Sequence, residues 1–483
     1  MIYQSTRDHR LAVSSTRAVL DGIAADGGLY MLDHIAALDF DWRNLLDMDT
    51  LSMSAAILSA LLPEFADMSA LVKSGYEGKF ESDELTPTVN VGDRHVLELF
   101  RGPTSAFKDV ALSLLPRLIT AARDAEGMEG DTVILTATSG DTGKAALEGF
   151  HDVDGIRICV FYPYGGVSQV QRAQMVTQEG NNVAVCAVHG NFDDAQTGVK
   201  NIFAACRDKE LPVALSSANS INIGRLAPQV MYYFRSYRDL LDAGKIRLGE
   251  TVNFSVPTGN FGDILAGYLA KRLGLPVGKL ICASHANNVL TDFIQSGTYD
   301  RRRELLKTTS PSMDILVSSN LERLLYLLSM DTGLVAKLMA DLNSQGFYTV
   351  PDSLKDAIQA EFWAACCDDR RADEVMGRVY QDLGYLCDPH TAAGWAAAED
   401  YRAATGDDRP MVVLSTASPY KFPVAVLSAI GGDLSGSEFD QMERLQAITG
   451  VPIPAPLASL QGKAEKHTGV IEKEKMLEYV LSL

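Results

Sequence analysis

From about residue 105 onward, the chain alternates between short apolar runs and longer stretches with helical periodicity. The apolar runs that fit buried strands lie at 132–137, 156–162, 182–188, 252–256, 280–283 and 411–414. A strand followed by a loop, a helix and another strand is typical of right-handed βαβ units on parallel sheets. The pattern therefore predicts an α/β protein, and ligands of such proteins bind at the carboxyl ends of the strands.

The length of 483 residues exceeds what one hydrophobic core supports and predicts several domains. Residues 1–95 mix short helical patterns with turns and are interpreted as an N-terminal subdomain. A smaller α/β lobe is predicted over 96–245 and a larger one over 246–483, with a cleft between them. Within the larger lobe, 300–405 is interpreted as a mainly helical insertion, and a helix near 464–482 ends the chain.

The net charge of −19 argues against binding to nucleic acids or anionic membranes. Any phosphate must therefore be held by local cations and backbone amides. The seven cysteines are scattered without CxxC spacing and the eight histidines without HxxxH spacing, so no metal site is predicted. Reduced thiols, no signal peptide and no membrane-length apolar run indicate a cytoplasmic protein.

Lys108 is the foremost candidate for a catalytic residue. It follows Phe107, in a stretch that begins at Pro103, contains small residues and is predicted to be buried. A buried amine loses its proton more readily than an exposed one and then acts as a nucleophile toward aldehydes. Lys108 is therefore either a Schiff-base lysine or an ordinary surface side chain.

Two glycine-containing loops follow predicted strands and open predicted helices. In 257–263, glycines three residues apart allow successive amides to converge on an anion, assisted by the helix dipole. The loop matches neither the dinucleotide pattern nor the Walker pattern, so it is either an anion cradle or a tight turn. In 138–144, hydroxyls and amides either bind a carboxylate or only cap the helix, through Ser139 or Asp141.

Three further polar residues lie at predicted strand ends. Arg225 is expected near a helix start, where a cation opposes the helix dipole, so it either grips an anion such as a phosphate or pairs with an acidic residue. Thr416 is suited to hydrogen-bond a heteroaromatic nitrogen. Lys421 is either a solvated loop residue or a second phosphate ligand.

Five segments, in this order along the chain, resemble the threonine synthase family in its long microbial and fungal branch. They are 102–109, 139–143, 217–222, 257–263 and 416–422. Residues 1–7 and 26–30 also look like the N-terminal domain of that family. The resemblance implies a two-lobed fold like that of the tryptophan synthase β-subunit, with pyridoxal 5'-phosphate as cofactor. It also implies conversion of O-phospho-L-homoserine and water to L-threonine and phosphate.

The resemblance also assigns roles to individual residues. Lys108 would bind the cofactor aldehyde covalently beside Phe107, and Thr416 would face the pyridine nitrogen. The residues that would cradle the cofactor phosphate are Gly259, Asn260, Phe261 and Gly262. Those that would bind the substrate are Ser139, Gly140, Asp141, Thr142, Asn219 and Arg225.

Two positions depart from the pattern of related proteins. Asp141 stands where enzymes of this fold often carry asparagine, and 418–420 reads Ser-Pro-Tyr where the long branch usually has histidine, proline and alanine. Other functions remain open on these motifs: a phospho-lyase that releases 2-oxobutanoate, or a protein that binds phosphorylated metabolites without chemistry. A monomer or a homodimer is expected.

Overall fold

The structure is a computed structural model that describes residues 2–35, 41–206 and 214–483. The described strands are β1 (Tyr3–Ser5), β2 (Ala12–Val13), β3 (Tyr30–Leu32), β4 (Thr88–Val91), β5 (Arg94–Glu98), β6 (Thr132–Ala137), β7 (Ile156–Pro163), β8 (Val183–His189), β9 (Ala214–Ser217), β10 (Val252–Pro257), β11 (Val277–Ser284), β12 (Thr298–Asp300), β13 (Phe347–Thr349), β14 (Phe362–Cys366), β15 (Met411–Ser415) and β16 (Gly469–Glu472).

The described α-helices are α1 (Ser15–Asp21), α2 (Trp42–Leu45), α3 (Thr50–Leu61), α4 (Met68–Tyr76), α5 (Lys108–Leu112), α6 (Leu115–Ala125), α7 (Asp141–Phe150), α8 (Gln169–Val176), α9 (Phe192–Cys206), α10 (Ile223–Leu226), α11 (Val230–Asp242), α12 (Gly262–Arg272), α13 (Val289–Ser296), α14 (Leu321–Ser329), α15 (Thr332–Gln345), α16 (Asp352–Glu361), α17 (Asp369–Leu383), α18 (Pro389–Thr405), α19 (Pro423–Ala429), α20 (Glu438–Thr449), α21 (Ala455–Ala458) and α22 (Met476–Leu481). Short 3-10 turns lie at Ala227–Gln229, Pro311–Met313, Pro419–Lys421 and Lys473–Lys475.

Two parallel sheets form the centre of the molecule, which confirms the predicted α/β class. The larger sheet has the strand order β14-β11-β10-β15-β5-β4, and only its edge strand β4 runs antiparallel to its neighbour. The smaller sheet has the order β16-β8-β7-β6-β9 and is parallel throughout. An antiparallel sheet of β1, β2 and β3 belongs to the N-terminal region.

The apolar runs form these strands because a parallel strand covered by helices on both faces is buried along its whole length. Every residue of β6, β10 and β15 is buried accordingly. The alanine-rich helix α18 packs across β10, β11, β14 and β15. Asp388 caps the start of α18, and Pro389 occupies its first position, where proline costs no backbone hydrogen bond. The cap fixes where α18 begins beside the larger sheet.

One interpretation of the sequence is wrong. The helix predicted near 464–482 is confined to Met476–Leu481, and Gly469–Glu472 instead forms β16, which pairs with β8. The reason is that β16 contains the β-branched pair Val470 and Ile471, a strand signal too short to recognise within a helical pattern.

Region 300–405 is largely helical but is more than an insertion. Its strand β14 forms an edge of the larger sheet beside β11, and residues 301–320 are mostly irregular. The chain also crosses between the sheets, since β4 and β5 join the larger sheet and β16 the smaller one. The domain limits at residues 95 and 245 therefore stay predictions.

Helices α5 and α7 of the smaller lobe pack closely, and both begin at a charged residue. Their contact depends on Gly149, because a Cβ at this position would lie 2.0 Å from the carbonyl oxygen of Leu112. That distance leaves no room for any side chain without a backbone shift. The glycine thereby sets the spacing of the two helices.

Gly149→Ala should separate α5 from α7 and destabilise the protein. We expect the free energy of unfolding to fall by about 1–3 kcal/mol, the usual cost of overpacking. Denaturant unfolding followed by circular dichroism measures it. Gly333→Ala is the matched control, because its Cβ would meet only an Asp331 carboxylate oxygen at 3.3 Å. Equal stability of the two variants would contradict the packing argument.

Candidate active site

A cavity of about 380 Å³ lies where the carboxyl ends of strands from both sheets meet. Its walls come from the loops that follow β6, β9, β10 and β15, from the start of α5 and from residues 311–319. Arg7 and Gly27 of the N-terminal region contribute a further wall. The cavity therefore occupies the place that open parallel sheets generally use for ligands.

Most of the residues singled out from the sequence line this one cavity. They are Phe107, Lys108, Ser139, Thr142, Asn219, Arg225, Gly259, Asn260, Phe261, Gly262 and Thr416. Gly140, Asp141 and Lys421 are buried but do not line it. Asp141 lies directly behind the wall, with Oδ2 3.7 Å from Nζ of Lys108. Residues far apart in the sequence are thus brought together around a single amine.

Lys108 is the first residue of α5 and is only 8% exposed. Its Nζ lies 3.3 Å from the Ser312 hydroxyl and 5.0 Å from the centre of the Phe107 ring. Burial lowers the pKa of this amine from 10.5 to about 8, with Asp141 acting in the opposite direction. A lysine with this pKa has an appreciable fraction of free amine near neutral pH.

The loop that carries Lys108 is tied to the end of β15. The Phe107 amide donates to the carbonyl of Thr416 at 2.8 Å, and Ala106 forms a bridge with Ala417. Ser105 adopts a φ of 60° in the same loop, a region that side chains other than glycine rarely occupy. These backbone contacts fix Lys108 beside Thr416, as the predicted roles of the two residues require.

Asp141 is shared between two lysines. Its Oδ1 accepts from Lys421 Nζ and from Gln171 Nε2, each at 2.9 Å, while Oδ2 lies 3.3 Å from the Ser312 hydroxyl. Burial alone would raise the pKa of Asp141, but the ammonium groups of Lys421 and Lys108 hold it well below its usual range. Asp141 is therefore ionised.

Neither prediction for Lys421 is correct, because this residue is neither solvated nor at the cavity wall. Its side chain is fully buried, and Nζ also donates to the carbonyl of Thr104 at 3.0 Å. Nor do Ser139 or Asp141 cap α7, because Gly140 is its N-cap residue. Instead, the Thr138 hydroxyl accepts from the amides of Gly140 and Gly143 at 2.9 Å each.

The start of α12 is shaped as an anion cradle. Phe261 precedes the helix with a φ of 65°, and no side chain in the described part of the chain caps it. A Cβ on Gly259 would lie 2.9 Å from the carbonyl oxygen of Ser312, so only glycine fits there. Amides without a capping side chain, at the positive end of an eleven-residue helix, suit a phosphate group.

Asp263, in the first turn of α12, lines the cavity below this cradle. Its Oδ1 accepts from the Tyr232 hydroxyl and, at 3.3 Å, from the Tyr233 hydroxyl. Burial raises the pKa of Asp263 to about 7, against the effect of those two hydrogen bonds. Near neutral pH this carboxyl is therefore partly neutral, which reduces its repulsion of an anion in the cradle.

Arg225 is a buried cation at the cavity wall. Its guanidinium donates to the carbonyl of Ala218 at 2.9 Å, and its Nε has no partner among the described residues. Burial lowers its pKa to about 10, so it stays protonated at neutral pH. Within residues 2–35, 41–206 and 214–483 no carboxylate pairs with it. This excludes, for the described chain, the predicted alternative of an acidic partner.

Two cavity residues escaped the sequence reasoning. Ser312 contacts Lys108 and Asp141, and its amide donates to Nε2 of His390 at 3.3 Å. His390 in turn contacts Asp388 through Nδ1 at 2.6 Å. The Asp-Pro-His run at 388–390 is a recognisable helix start and was a usable signal for His390. No comparable pattern marks Ser312, which lies in an irregular segment.

Arg7 is a further residue that the sequence reasoning missed. It lines the cavity from the N-terminal region and pairs with both carboxylate oxygens of Glu322, at 2.8 and 2.7 Å. Glu322 also accepts from the Thr6 hydroxyl at 2.5 Å. The N-terminal region is thus anchored to α14 at the edge of the cavity.

The described residues contain no cluster of three or more metal-ligating side chains. No helix in the described ranges combines the length and apolar character that crossing a bilayer requires. All seven cysteines are free thiols.

Three family profiles match the chain. The profile described as "Pyridoxal-phosphate dependent enzyme" matches residues 83–417. Those described as "Threonine synthase N terminus" and "Threonine synthase, C-terminal" match residues 2–76 and 391–479.

Comparisons with the sequences and structures of whole proteins lead to the same family. The chain is 37% identical to human "Threonine synthase-like 1", over 96% of this chain, and it spans 63% of the length of that relative. It is 38% identical to threonine synthase of Pseudomonas aeruginosa, over 97% of this chain and 98% of that protein. The crystal structure of PLP-bound threonine synthase from Brucella melitensis superimposes with a TM-score of 0.86, at 36% identity, over 100% of this chain and 99% of that one. The chain therefore belongs to the threonine synthase family of pyridoxal-phosphate-dependent enzymes.

Proposed function

We propose that this protein is a threonine synthase, which converts O-phospho-L-homoserine and water to L-threonine and phosphate. The observation that carries the proposal is one cavity with a buried amine, Lys108, flanked by two separate anion sites. One site is the uncapped start of α12, and the other is Arg225, which has no carboxylate partner in the described chain. A phosphorylated cofactor and a phosphorylated substrate each require such a site.

The residues present fit pyridoxal 5'-phosphate. Lys108 would bind the cofactor aldehyde through Nζ, with Phe107 beside it. The amides at 259–262, preceding and opening α12, would hold the phosphate. Thr416 would accept or donate a hydrogen bond at the ring nitrogen without forcing its protonation. When bound, the cofactor supplies an electron sink that stabilises carbanions of the substrate.

Lys108 would also move protons. With the cofactor and substrate bound, Nζ of Lys108 would act as a base on the carbon that bears the substrate amine. The Ser312 hydroxyl, 3.3 Å from Nζ, orients the amine. In the overall reaction phosphate leaves the γ-carbon and water adds at the β-carbon, with proton transfers at both steps.

The substrate would be held at both ends. Arg225 and Asn219 would bind the phosphate, and a planar guanidinium matches two phosphate oxygens. Ser139 and Thr142 would bind the carboxylate at the start of α7, and Gly140 would shape the loop between them. Gly140 has a φ of 139°, and a Cβ there would lie 2.5 Å from the Gln171 side chain, so the loop needs glycine. Asp141 would act behind this wall, on Lys108.

A cytoplasmic location and a monomeric or homodimeric state belong to the same proposal. The free thiols support the location. The lobe limits predicted at residues 95 and 245 are also kept as part of it. A phospho-lyase on the same scaffold would release 2-oxobutanoate instead of threonine, so the product is the decisive observation.

Purified protein mixed with pyridoxal phosphate and phosphohomoserine should release threonine and phosphate in equal amounts, as measured by chromatography and a phosphate assay. Lys108→Ala should lower turnover by at least about a thousandfold, since it removes both the cofactor link and the base. It should also remove the visible absorption band. Lys73→Ala, at an exposed position, is the control. Release of 2-oxobutanoate, or full activity of Lys108→Ala, would contradict the proposal.

Arg225→Met should raise KM for phosphohomoserine by about 10- to 100-fold, the loss expected for charged hydrogen bonds. Arg225→Lys keeps the charge but loses the planar fork, so its KM should be intermediate. Steady-state kinetics measure both variants, and the visible band reports whether cofactor binding is intact. An unchanged KM in Arg225→Met would remove the phosphate role of Arg225.

The lowered pKa of Lys108 predicts a pH profile for its free amine. A lysine pKa of about 8 means that the unprotonated fraction rises tenfold per pH unit up to about pH 8 and then levels off. The cofactor-free chain can be labelled with formaldehyde and borohydride across a pH series. Mass spectrometry of the peptide that contains Lys108 should show labelling that is half-maximal near pH 8 and reaches a plateau above it. A rate still rising above pH 10 would contradict the assignment.

A further inference from the structure

Lys421 is a fully buried charged group near the cavity, and the proposed reaction gives it no role. Its side chain is 0% exposed, with Nζ 2.9 Å from Oδ1 of Asp141 and 3.0 Å from the carbonyl of Thr104. It does not line the cavity, so a ligand would not reach it without displacing the wall. Its two close partners are protein atoms.

Asp141 uses its two oxygens differently. Oδ1 is taken by Lys421 and by Gln171, both at 2.9 Å. Oδ2 faces Ser312 at 3.3 Å and Lys108 at 3.7 Å, so the approach to Lys108 is longer than the pair with Lys421. Two buried lysines thus compete for one carboxylate, and Lys421 has the better geometry.

This competition determines how the charges of the two lysines and Asp141 are balanced. A buried ammonium ion is costly unless a carboxylate neutralises it. The charge of Asp141 is largely balanced by Lys421, so the ammonium form of Lys108 is left without full compensation. The free amine of Lys108 is then favoured, although Asp141 stays close enough to hold the group in place.

The backbone keeps Lys421 in register with Lys108. The amide of Ser418 donates to the carbonyl of Ser105 at 3.1 Å, and Ala417 bridges to Ala106. Lys421 ends a 3-10 turn in which the Ser418 hydroxyl accepts from the Tyr420 amide. Both lysines therefore belong to two loops that are hydrogen-bonded to each other.

We infer that Lys421 is a positioning residue: it neutralises Asp141 and holds it against Lys108, so that Lys108 can stand as a free amine. This inference rests on the proposed function, which gives Lys108 its task. It also accounts for the acidic residue at 141, because a carboxylate is compatible with this place only when a second cation accompanies it.

Other ionisable groups also lie near Lys108, and they are the same in every variant below. They are Asp109 on its own helix, Arg225 on α10, Asp263 on α12 and, through Ser312, His390 on α18. Because these groups are unchanged in the variants, differences between the variants report on Asp141 and Lys421.

The test uses Lys421→Met, Asp141→Asn and the double variant in the full chain loaded with pyridoxal phosphate. The readout is the pH midpoint of the visible cofactor band, which follows the nitrogen of Lys108. Lys421→Met leaves Asp141 to Lys108 alone and should raise the midpoint by about one pH unit. Asp141→Asn leaves an unbalanced cation and should lower it by about the same amount. The double variant should return close to the original value.

Lys144→Met is the control, because it also removes a lysine from an ion pair on α7; this side chain is 12% exposed, and its partner Glu148 lies at 2.8 Å. Its midpoint should not move. If Lys421→Met fails to fold, the comparison of Asp141→Asn with the double variant still decides, since adding Lys421→Met should raise the midpoint. Unmoved midpoints, or a raised KM for phosphohomoserine in Lys421→Met with an unmoved midpoint, would overturn the inference.

Formaldehyde labelling of Lys108 in the cofactor-free variants separates this inference from the proposed function. The half-maximal pH of labelling should follow the same order as the band midpoints, whether or not the protein makes threonine. Absence of threonine with this order intact would reject the function and keep the coupling. Threonine production without this order of labelling would keep the proposed function and reject the coupling between Lys421 and Lys108.

Discussion

The site depends on an amine that is buried and yet only partly neutralised. Among the described residues, Asp141 is the one carboxylate within 4 Å of the Lys108 amine, at 3.7 Å, and it is bound more closely by Lys421. Full exposure would keep the amine protonated, and an ion pair with a carboxylate that has no other cationic partner would have a similar effect. The arrangement lies between these limits, and it requires that α5, α7 and the turn that ends at Lys421 keep their mutual positions. Gly149, which permits the close approach of α5 and α7, thereby becomes relevant to the chemistry.

The overall charge of −19 opposes the approach of anions, so phosphate affinity has to be created locally. The uncapped start of α12 provides amides and a dipole without any formal charge. Arg225 provides a formal charge that no carboxylate of the described chain offsets. Burying an unpaired guanidinium is costly, and a bound phosphate would relieve that cost. In the proposed complex with phosphate, this unpaired cation would therefore supply part of the binding free energy.

The strands of both sheets were largely predictable, because parallel strands covered on both faces read as continuous apolar runs. The run predicted at 132–137 matches β6 at both ends. Exposed edge strands lack that signal. In β16, two of four residues are apolar and none is buried, so the hydrophobic pattern carried no information about its pairing with β8. For this reason the helix predicted over Gly469–Glu472 is wrong.

The residues of the site also differ in how far the sequence predicts them. The positions of some follow from nearby sequence, and those of others depend on distant contacts. Lys108, the 257–263 loop and Arg225 belong to strand ends, and the topology of a parallel sheet brings strand ends together whatever the details of packing. Ser312 reaches the same cavity from an irregular segment, whose path is set by contacts such as that of its amide with His390. Lys421 stands in a strand-end loop that the sequence pattern identifies. The direction of its side chain, however, depends on which partner is buried with it. Lys421 is bound to Oδ1 of Asp141, behind the cavity wall, and therefore points away from the cavity. Only the three-dimensional structure distinguishes this direction from one toward a ligand.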